Sequence, residues 1–504
     1  MNFREIFGIS MIALSFMMLT RVVTNWFVGP EDTTRFIAPV NAVEQKPLNV
    51  EVDFTEGPQA KSYVVESLTT SYGRLNFSTA GGTLSDFTFV RTMDGRLQEF
   101  SVLNASERVD REQTPFLIAL DTETPYEYTH VGTTEAEDLY TVQYRASCSA
   151  GTIDKIFTVY KNKTQIDLAL TIKPKREITP RLVWSAPTFK MVEHECAISS
   201  VVFDKRGSFT SVADTKLNFK EGYLRPRIFG AQDKYFLCAL VGDVDGFAQR
   251  AYYKSVDANL LSFIEAAPVH ETTTWNMSFY CGPKEFKAIQ AVDPTLEKVL
   301  NYGMFSFLTK PLLALLSWLN TYLNNFGLSI IILTVLMNLV LLPFSWRGDK
   351  KMRKLQDYSQ KMDYLKRKYK DDPEGLKQAQ MDMLKEKGLP LSGCLMPFIQ
   401  LPFFFALSGG LNNSLELYKA PFLWIKDLSL SDPYYILPFF VTITMLFGGI
   451  MQVQGGAKQR MGGIAMGLIF GAVTSVWASG TVLYIAINMM FHTSRAYMMK
   501  LLKV

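Results

Sequence analysis

The chain has 504 residues, of which 48% are hydrophobic and 20% charged, and its formal net charge is +4. This length leaves room for roughly two to four domains. The apolar and aromatic content excludes a disordered chain, and 32 glycines are too few for a collagen-like one. Five cysteines exclude a disulfide scaffold, and so small a net charge gives no sign of nucleic-acid binding.

The charges are unevenly distributed along the chain. Residues 1–28 carry a net charge of +1, and residues 29–301 carry 29 basic and 36 acidic side chains. Residues 302–504 carry 21 basic and 11 acidic side chains. The averages therefore conceal an acidic part that is followed by a basic part.

The first 60 residues predict a membrane anchor and a linker. Ile6 to Val28 is mostly apolar, follows a basic residue, and is long enough to span a bilayer. No clear cleavage site follows it, so we interpret residues 1–28 as an uncleaved anchor with its N-terminus inside; a cleaved signal peptide is the alternative. Residues 29–60 contain several prolines and few apolar runs, which predicts a linker.

Residues 61–290 predict an all-β domain. Short alternating runs such as Lys155–Tyr160 and Ile166–Ile172 are punctuated by turn residues such as Gly81-Gly82 and Asp245-Gly246. Many short strands of this kind are typical of a sandwich. A stretch of this length is able to bury a large core as one domain.

Residues 302–504 predict a membrane core. Five apolar runs are long enough to span the bilayer and, with the anchor, make six spans. Residues 303–323 carry polar side chains near helical spacing and Pro311, which predicts an amphipathic helix in the outer interface; a seventh span is the alternative. Gly463, Gly467 and Gly471 form a small-residue face that predicts a closely packed neighbouring helix. The predicted spans are 328–345, 391–411, 434–451, 461–478 and 481–499.

A basic segment between the first two of these spans predicts a cytoplasmic helical hairpin over residues 347–388. It carries 13 basic and 8 acidic side chains, and Asp372-Pro373 is a good start for its second helix. The positive-inside rule places it in the cytoplasm with both termini, and the β domain outside. The hairpin either serves this rule alone or docks an anionic partner such as lipid headgroups or a ribosome. The docking residues would be Lys350, Lys351, Arg353, Lys366, Arg367 and Lys368.

No signature of a soluble enzyme appears. The HExxH, P-loop and GxSxG patterns are all absent, so we predict no catalytic residue, metal ion or cofactor. Four cysteines belong to the exported part, and their spacing fits no metal motif. They form one or two disulfides or are buried thiols. These cysteines are Cys148, Cys196, Cys238 and Cys281, whereas Cys394 begins a span.

Neutral polar residues interrupt the predicted spans, which contain no Asp or Glu. Ion-coupled transporters commonly need an intramembrane charge, so this absence disfavours one. The polar residues either form hydrogen bonds between helices or line a wet, uncharged groove that offers partners to an incoming peptide. The candidate groove residues are Thr334, Asn338, Gln400, Thr481, Tyr484 and Asn488, with His492 continuing the last stripe.

Several segments resemble the YidC membrane protein insertases. The resemblance is strongest from Val292 to Lys503. The Gram-negative type, with an extra first helix and a large periplasmic β-supersandwich, resembles residues 1–290 more loosely. The segments that carry the resemblance are Tyr302–Leu312, Gly327–Thr334, Pro390–Phe404, Ala420–Leu428, Asp432–Pro438 and Ser479–Tyr484.

The resemblance implies an inner-membrane protein that inserts and folds nascent membrane proteins through a hydrophilic groove. It also implies the Sec translocon as a partner, with the ribosome or the signal recognition machinery as further candidates. Thr334, Gln400 and Tyr484 fall at groove or core positions of the family. The family usually has Arg where this chain has Asn338, and often has a second Tyr where it has Ile485. The groove would then attract acidic client segments more weakly.

Two other classes of function stay open on the sequence alone. A transporter or channel with an exported β domain is one, although the predicted spans contain no Asp or Glu and the chain shows no two-fold repeat. A membrane assembly scaffold whose β domain does the work is the other.

Overall fold

The computed structural model describes residues 63–93, 96–104, 114–121, 124–187, 197–217, 219, 222–256, 259–300, 302, 305–369, 372–387, 396–452 and 457–501. The predicted anchor and linker, and also Cys196 and Cys394, lie outside these residues.

The described residues up to 283 form antiparallel β-strands. This confirms the predicted β-rich domain. The strands are β1 Val65–Thr70, β2 Gly73–Ser78, β3 Thr83–Met93, β4 Arg96–Asn104, β5 Leu117–Leu120, β6 Thr129–Glu135, β7 Leu139–Ser147, β8 Gly151–Tyr160, β9 Gln165–Pro174, β10 Pro180–Ser185, β11 Ser199–Phe203, β12 Phe209–Thr210, β13 Gly222–Leu224, β14 Ile228–Gln232, β15 Phe236–Asp243, β16 Arg250–Val256, β17 Asn259–Glu265 and β18 Thr273–Pro283.

Among the described strands, three sheets build the domain. One has four strands in the order β1-β2-β3-β4, and a second has five in the order β13-β16-β17-β10-β5. The third has nine in the order β12-β11-β14-β15-β18-β9-β8-β7-β6. Along β9 the side chains of Ile166, Leu168, Leu170 and Ile172 are buried and alternate with more exposed ones. This period of two turns one face of the strand to the core.

The three sheets share a single aromatic core. The Phe116 ring lies between 4.7 and 5.0 Å from three other rings. Those rings belong to Phe157 on β8, Trp184 on β10 and Phe279 on β18. Phe77 on β2 joins them, with its ring 4.9 Å from that of Phe157. Tilted and edge-on ring pairs at these separations are favourable beyond the area that they bury.

A buried lysine holds part of this core together. The Lys155 ammonium is fully buried and donates hydrogen bonds to the carbonyl oxygens of Gly81 (2.6 Å), Gly82 (3.1 Å) and Phe116 (2.7 Å). It also lies 4.5 Å from the centre of the Tyr128 ring. Burial lowers the pKa of Lys155 well below its usual value. Three carbonyl acceptors match the three donors of the charged form.

Asp233 closes the turn between β14 and β15. Its Oδ1 accepts hydrogen bonds from the backbone N–H groups of Tyr235 (2.7 Å) and Phe236 (2.6 Å). Its Oδ2 is buried and has no hydrogen-bond partner in the described part of the chain. Burial raises the pKa of Asp233 to about 6, against the lowering effect of the two backbone donors.

After the β domain the chain becomes helical. Its α-helices are α1 Phe286–Gln290, α2 Ser306–Leu323, α3 Phe326–Lys368, α4 Pro373–Lys387, α5 Met396–Asn412, α6 Ile436–Gln452, α7 Ala457–Thr474 and α8 Ser479–Leu501. Short 3-10 helices occupy Asp214–Lys216, Pro294–Val299 and Leu415–Leu417.

The first predicted span and the first arm of the predicted hairpin form one helix, α3, of 43 residues. The Asn325 side chain caps its start by accepting a hydrogen bond from the N–H of Leu328 at 2.9 Å. The helix continues through Pro343, which lacks the N–H that would bond to the carbonyl four residues earlier. Asp372 caps the start of α4 through the N–H of Gly375 at 2.9 Å, as its sequence predicts.

Helices α6 and α7 approach each other closely. A side chain on Gly471 would overlap the Thr442 hydroxyl, and one on Gly467 would come within 3.3 Å of the Leu446 side chain. The small-residue face predicted from the sequence is therefore confirmed at these two glycines.

Helix α2 is amphipathic in its burial. Leu312 and Leu316 are buried, whereas Phe307, Trp318 and Tyr322 are exposed. Exposed aromatic rings of this kind are enriched at membrane–water interfaces.

Other helices expose apolar side chains on their outer surface. In the described ranges one stretch, Phe326–Pro343, is both long and apolar enough to cross a membrane. Leu401–Asn412, Ile436–Phe447 and Ile464–Thr474 are shorter apolar stretches. The six-span count therefore stays a prediction. The exposed apolar residues include Leu336, Val340, Phe439, Phe447, Leu468 and Ile469.

Candidate functional site

A set of buried polar side chains runs through α3, α5 and α8, which pack against one another. We call it the polar seam. It includes five of the six candidate groove residues and adds a serine that the sequence analysis missed. Its members are Thr334, Asn338, Ser408, Thr481, Tyr484 and Asn488.

The α3 part of the polar seam is hydrogen-bonded within its own helix. The Thr334 hydroxyl is fully buried and donates to the carbonyl oxygen of Ile330 at 2.6 Å. The Asn338 amide donates to the carbonyl oxygen of Thr334 at 2.9 Å. These bonds link successive turns of one helix face, because residues four apart lie above one another.

The α5 and α8 part contains two hydroxyls that lack such bonds. The side-chain oxygens of Ser408 and Thr481 are buried, and neither has a hydrogen-bond partner among the described residues. The Tyr484 ring lies 6.0 Å from that of Phe404 on α5, which joins α5 and α8 next to the polar seam. Burying a hydroxyl without a partner costs free energy.

Two turns beyond Asn488, α8 carries a charged group, that of Arg495. The guanidinium of Arg495 and Nδ1 of His492 are 3.0 Å apart, and both side chains are partly buried. Arg495 is not among the residues predicted for the site. Arg495 follows His492 by three residues, so the two lie on the same helix face. This spacing was the sequence signal for their contact.

For the other residues predicted for the groove or for docking, the structure describes either the backbone alone or an exposed side chain. The side chain of Gln400, on α5, lies outside the described part of the structure. The Lys366 and Lys368 side chains, late in α3, are exposed. The side chains of Lys350, Lys351, Arg353 and Arg367 also lie outside the described part.

A second cluster, which the sequence analysis missed, connects the helical region to the β domain. The loop between α5 and α6 carries Glu416, which accepts hydrogen bonds from Ser317 on α2 and from Arg91 on β3, each at 3.1 Å. Arg91 also pairs with Glu285. Since Glu416 and Arg91 are 325 residues apart, no local pattern indicated this contact.

The same loop inserts an aromatic ring into the β domain. Tyr418 is 4% exposed, and its ring lies 5.6 Å from that of Phe100 and 6.0 Å from that of Tyr235. Leu415 is buried in the same core. We call Leu415, Glu416 and Tyr418, with their partners, the domain junction.

The described residues contain no group of three or more His, Cys, Asp or Glu side chains that could hold a metal ion.

Comparison with known proteins gives two consecutive matches. The model of the YidC periplasmic domain matches residues 67–315, and the model of the 60Kd inner membrane protein matches residues 318–503. The boundary between them falls within α2, about thirty residues after the last strand, β18.

Curated relatives carry one name. "Membrane protein insertase YidC" from Geobacter metallireducens is 34% identical over 276 residues, which are 53% of this chain and 51% of the relative. The protein of the same name from Thioalkalivibrio sulfidiphilus is 39% identical over 226 residues, 44% of this chain and 40% of the relative. The chain thus spans about half the length of these relatives or less.

A solved structure described as "Active YidC insertase crystal structure with the first transmembrane domain resolved" covers 87% of this chain and 93% of its own. The two are 20% identical, and the TM-score is 0.38. The assignment therefore rests on the family models and on the relatives. Since the two models follow one another along nearly all of the chain after residue 66, this chain belongs to the YidC family of inner-membrane proteins with a periplasmic domain.

Proposed function

We propose that this chain inserts nascent membrane proteins into the inner membrane and helps them to fold. The observation that carries the proposal is the polar seam, which lies within a helical region whose outer surface is apolar. The name of its relatives, membrane protein insertase, supports the same conclusion.

In this proposal the lipid supplies the driving force for insertion, and the protein lowers the barrier to it. Burying the apolar segment of a client in lipid supplies the driving force, on the order of 25 cal/mol per Å². The barrier lies in the polar flank and the backbone of the client, because lipid offers them no hydrogen-bond partners. The hydroxyls of Ser408 and Thr481, which lack partners among the described residues, are suited to receive such groups.

Within this proposal, six spans cross the membrane and both termini are cytoplasmic. Residues 1–28 are the anchor, 29–60 the linker, 61–290 the periplasmic domain and 302–504 the insertase core. Residues 303–323 lie in the outer interface. The predicted groove residues, including Gln400, contact the client from within the bilayer.

The hairpin over residues 347–388 is the proposed cytoplasmic docking arm. Its basic residues would meet an anionic partner, either lipid headgroups or a ribosome, and the Sec translocon and the signal recognition machinery are further proposed partners. The exposure of Lys366 and Lys368 supports an arm of this kind.

Site-specific photocrosslinking tests the proposal. A photoreactive residue replaces Thr334 or Tyr484, and ribosome-bound nascent membrane proteins serve as clients. Val340, on the same helix as Thr334 but 66% exposed, is the matched control. We expect stronger client adducts from Thr334 and Tyr484 than from Val340. Equal yields from all three positions, or no adducts from the two buried ones, would contradict the proposal.

Deleting residues 61–285 distinguishes between two functions for this chain, that of an insertase and that of an assembly scaffold. If the helical region inserts clients, the shortened chain keeps measurable insertion in membrane vesicles. Complete loss of insertion, with the shortened chain still present in the membrane, would favour a scaffold whose β domain does the work.

A further inference from the structure

Two cysteines of the periplasmic domain lie directly opposite each other on neighbouring strands. Cys238 on β15 is the cross-strand partner of Cys281 on β18, in the middle of the nine-stranded sheet. The two residues are 43 positions apart in the sequence, and their Sγ atoms are 2.7 Å apart.

The hydrogen-bonding pattern shows which kind of cross-strand pair this is. The N–H of Cys281 points to the other neighbour of β18, where it donates to the carbonyl oxygen of Thr164 just before β9. Cys281 therefore makes no backbone bond to Cys238, and the two form a non-hydrogen-bonded pair. In such pairs the Cα atoms are about 4.5 Å apart and the side chains lie closest. That separation is within the range of about 4.4–6.8 Å found for disulfides.

Both side chains point into the same aromatic core and are 2% exposed or less. Metal binding does not explain the pair, because no third ligand lies near it among the described residues. The membership of this domain in the periplasmic family model places the pair in an oxidising compartment.

We propose that Cys238 and Cys281 form a disulfide bond in the mature protein. A protein disulfide oxidant, the chemical class that introduces such bonds in the periplasm, is the electron acceptor. The thiolate of one cysteine attacks the oxidant's disulfide, which gives a mixed disulfide and one oxidant thiolate. The thiolate of the second cysteine then attacks the sulfur of the first. The S–S bond forms, the oxidant leaves as a dithiol, and two electrons and two protons have passed to it.

The bond would close a loop that belongs to two sheets. The chain between Cys238 and Cys281 contains β16 and β17, which lie in the five-stranded sheet, whereas β15 and β18 lie in the nine-stranded sheet. A cross-link around such a loop restricts the unfolded chain and so favours the folded one. Because both sulfur atoms are buried after folding, the bond forms before β15 and β18 close.

Peptide mapping of the full chain tests this inference independently of insertase activity. Protein from inner membranes is quenched in acid, denatured, alkylated without reductant and digested. We expect a linked peptide pair that contains Cys238 and Cys281, which is 2 Da lighter than the sum of the two thiol peptides. Reduction should lower the melting temperature of the β domain by on the order of 10 °C. Alkylation of both thiols in the unreduced protein, or a link from either to a different cysteine, would overturn the inference.

Two variants keep the test independent of any folding defect. Cys238→Ser leaves Cys281 open to alkylation without reductant, and a Cys281 that stays blocked in this variant would contradict the pairing. Cys148→Ser changes a half-buried cysteine elsewhere in the domain, whose thiol lies 3.4 Å from the carbonyl oxygen of Gly151. The Cys148→Ser protein should keep both the linked peptides and the effect of reductant on the melting temperature. Loss of the link in this control would also count against the proposed pairing.

Discussion

Replacing Tyr418 by alanine tests whether the loop between α5 and α6 fastens the β domain to the helical region. The ring of Tyr418 is almost fully buried between Phe100 on β4 and Tyr235 before β15. The change removes the ring and leaves the side chains of the ion pair between Arg91 and Glu416 unaltered.

The size of the effect follows from the buried area. An aromatic side chain that buries about 150 Å² contributes about 4 kcal/mol at roughly 25 cal/mol per Å². Substitutions of buried aromatic residues by alanine cost about 3–5 kcal/mol, which agrees with this figure. We therefore expect Tyr418→Ala to shift the equilibrium between docked and undocked loop by about a thousandfold.

Limited proteolysis of the full chain in detergent measures this equilibrium, because cleavage near residue 418 requires an undocked loop. Tyr434→Ala is the control, since Tyr434 lies later in the same loop and is 68% exposed. We expect rapid cleavage in Tyr418→Ala and the wild-type rate in Tyr434→Ala. Equal cleavage rates in the two variants would refute the role of the domain junction in fastening the β domain to the helical region.

Three further predictions concern buried or missing charges. Because the pKa of Asp233 is about 6 in the folded chain and about 3.9 when unfolded, its ionisation opposes folding. The stability of the wild type relative to Asp233→Asn should be highest below pH 4 and fall by about 3 kcal/mol as the pH rises through 6. Thermal melts of the two proteins measure this difference, and a difference that stays constant over pH 4–7 would contradict the prediction. Lys155→Met removes the ammonium that donates to three buried carbonyl groups, and it should destabilise the β domain by about 3 kcal/mol or more. The control is Lys173→Met, at an exposed position, which should leave the melting temperature unchanged. Asn338→Arg should increase the insertion of clients with acidic tails several-fold in a depletion strain, and equal rescue by variant and wild type would show that the missing charge has no effect.

Local patterns in the sequence determined much of the architecture. The alternation in β9 predicted a strand with one buried face, because side chains alternate across a strand. Asp372 before Pro373 predicted the start of α4, since a cap is made within one turn. Thr334 and Asn338 are four residues apart and so lie on one helix face, and both of these predicted groove residues are buried.

Other features were decided only by the tertiary structure. The fusion of the predicted span 328–345 with the first arm of the predicted hairpin into one helix, α3, was not apparent, because the apolar run ends there and a basic segment follows. The burial of Lys155 depends on three carbonyl oxygens from two distant turns, and the contact of Glu416 with Arg91 joins residues 325 positions apart. The pairing of Cys238 with Cys281 depends on the register of two strands. Spacing along the chain reports only on contacts within one helix or strand, so groups from distant segments met only once the sheets and helices had packed.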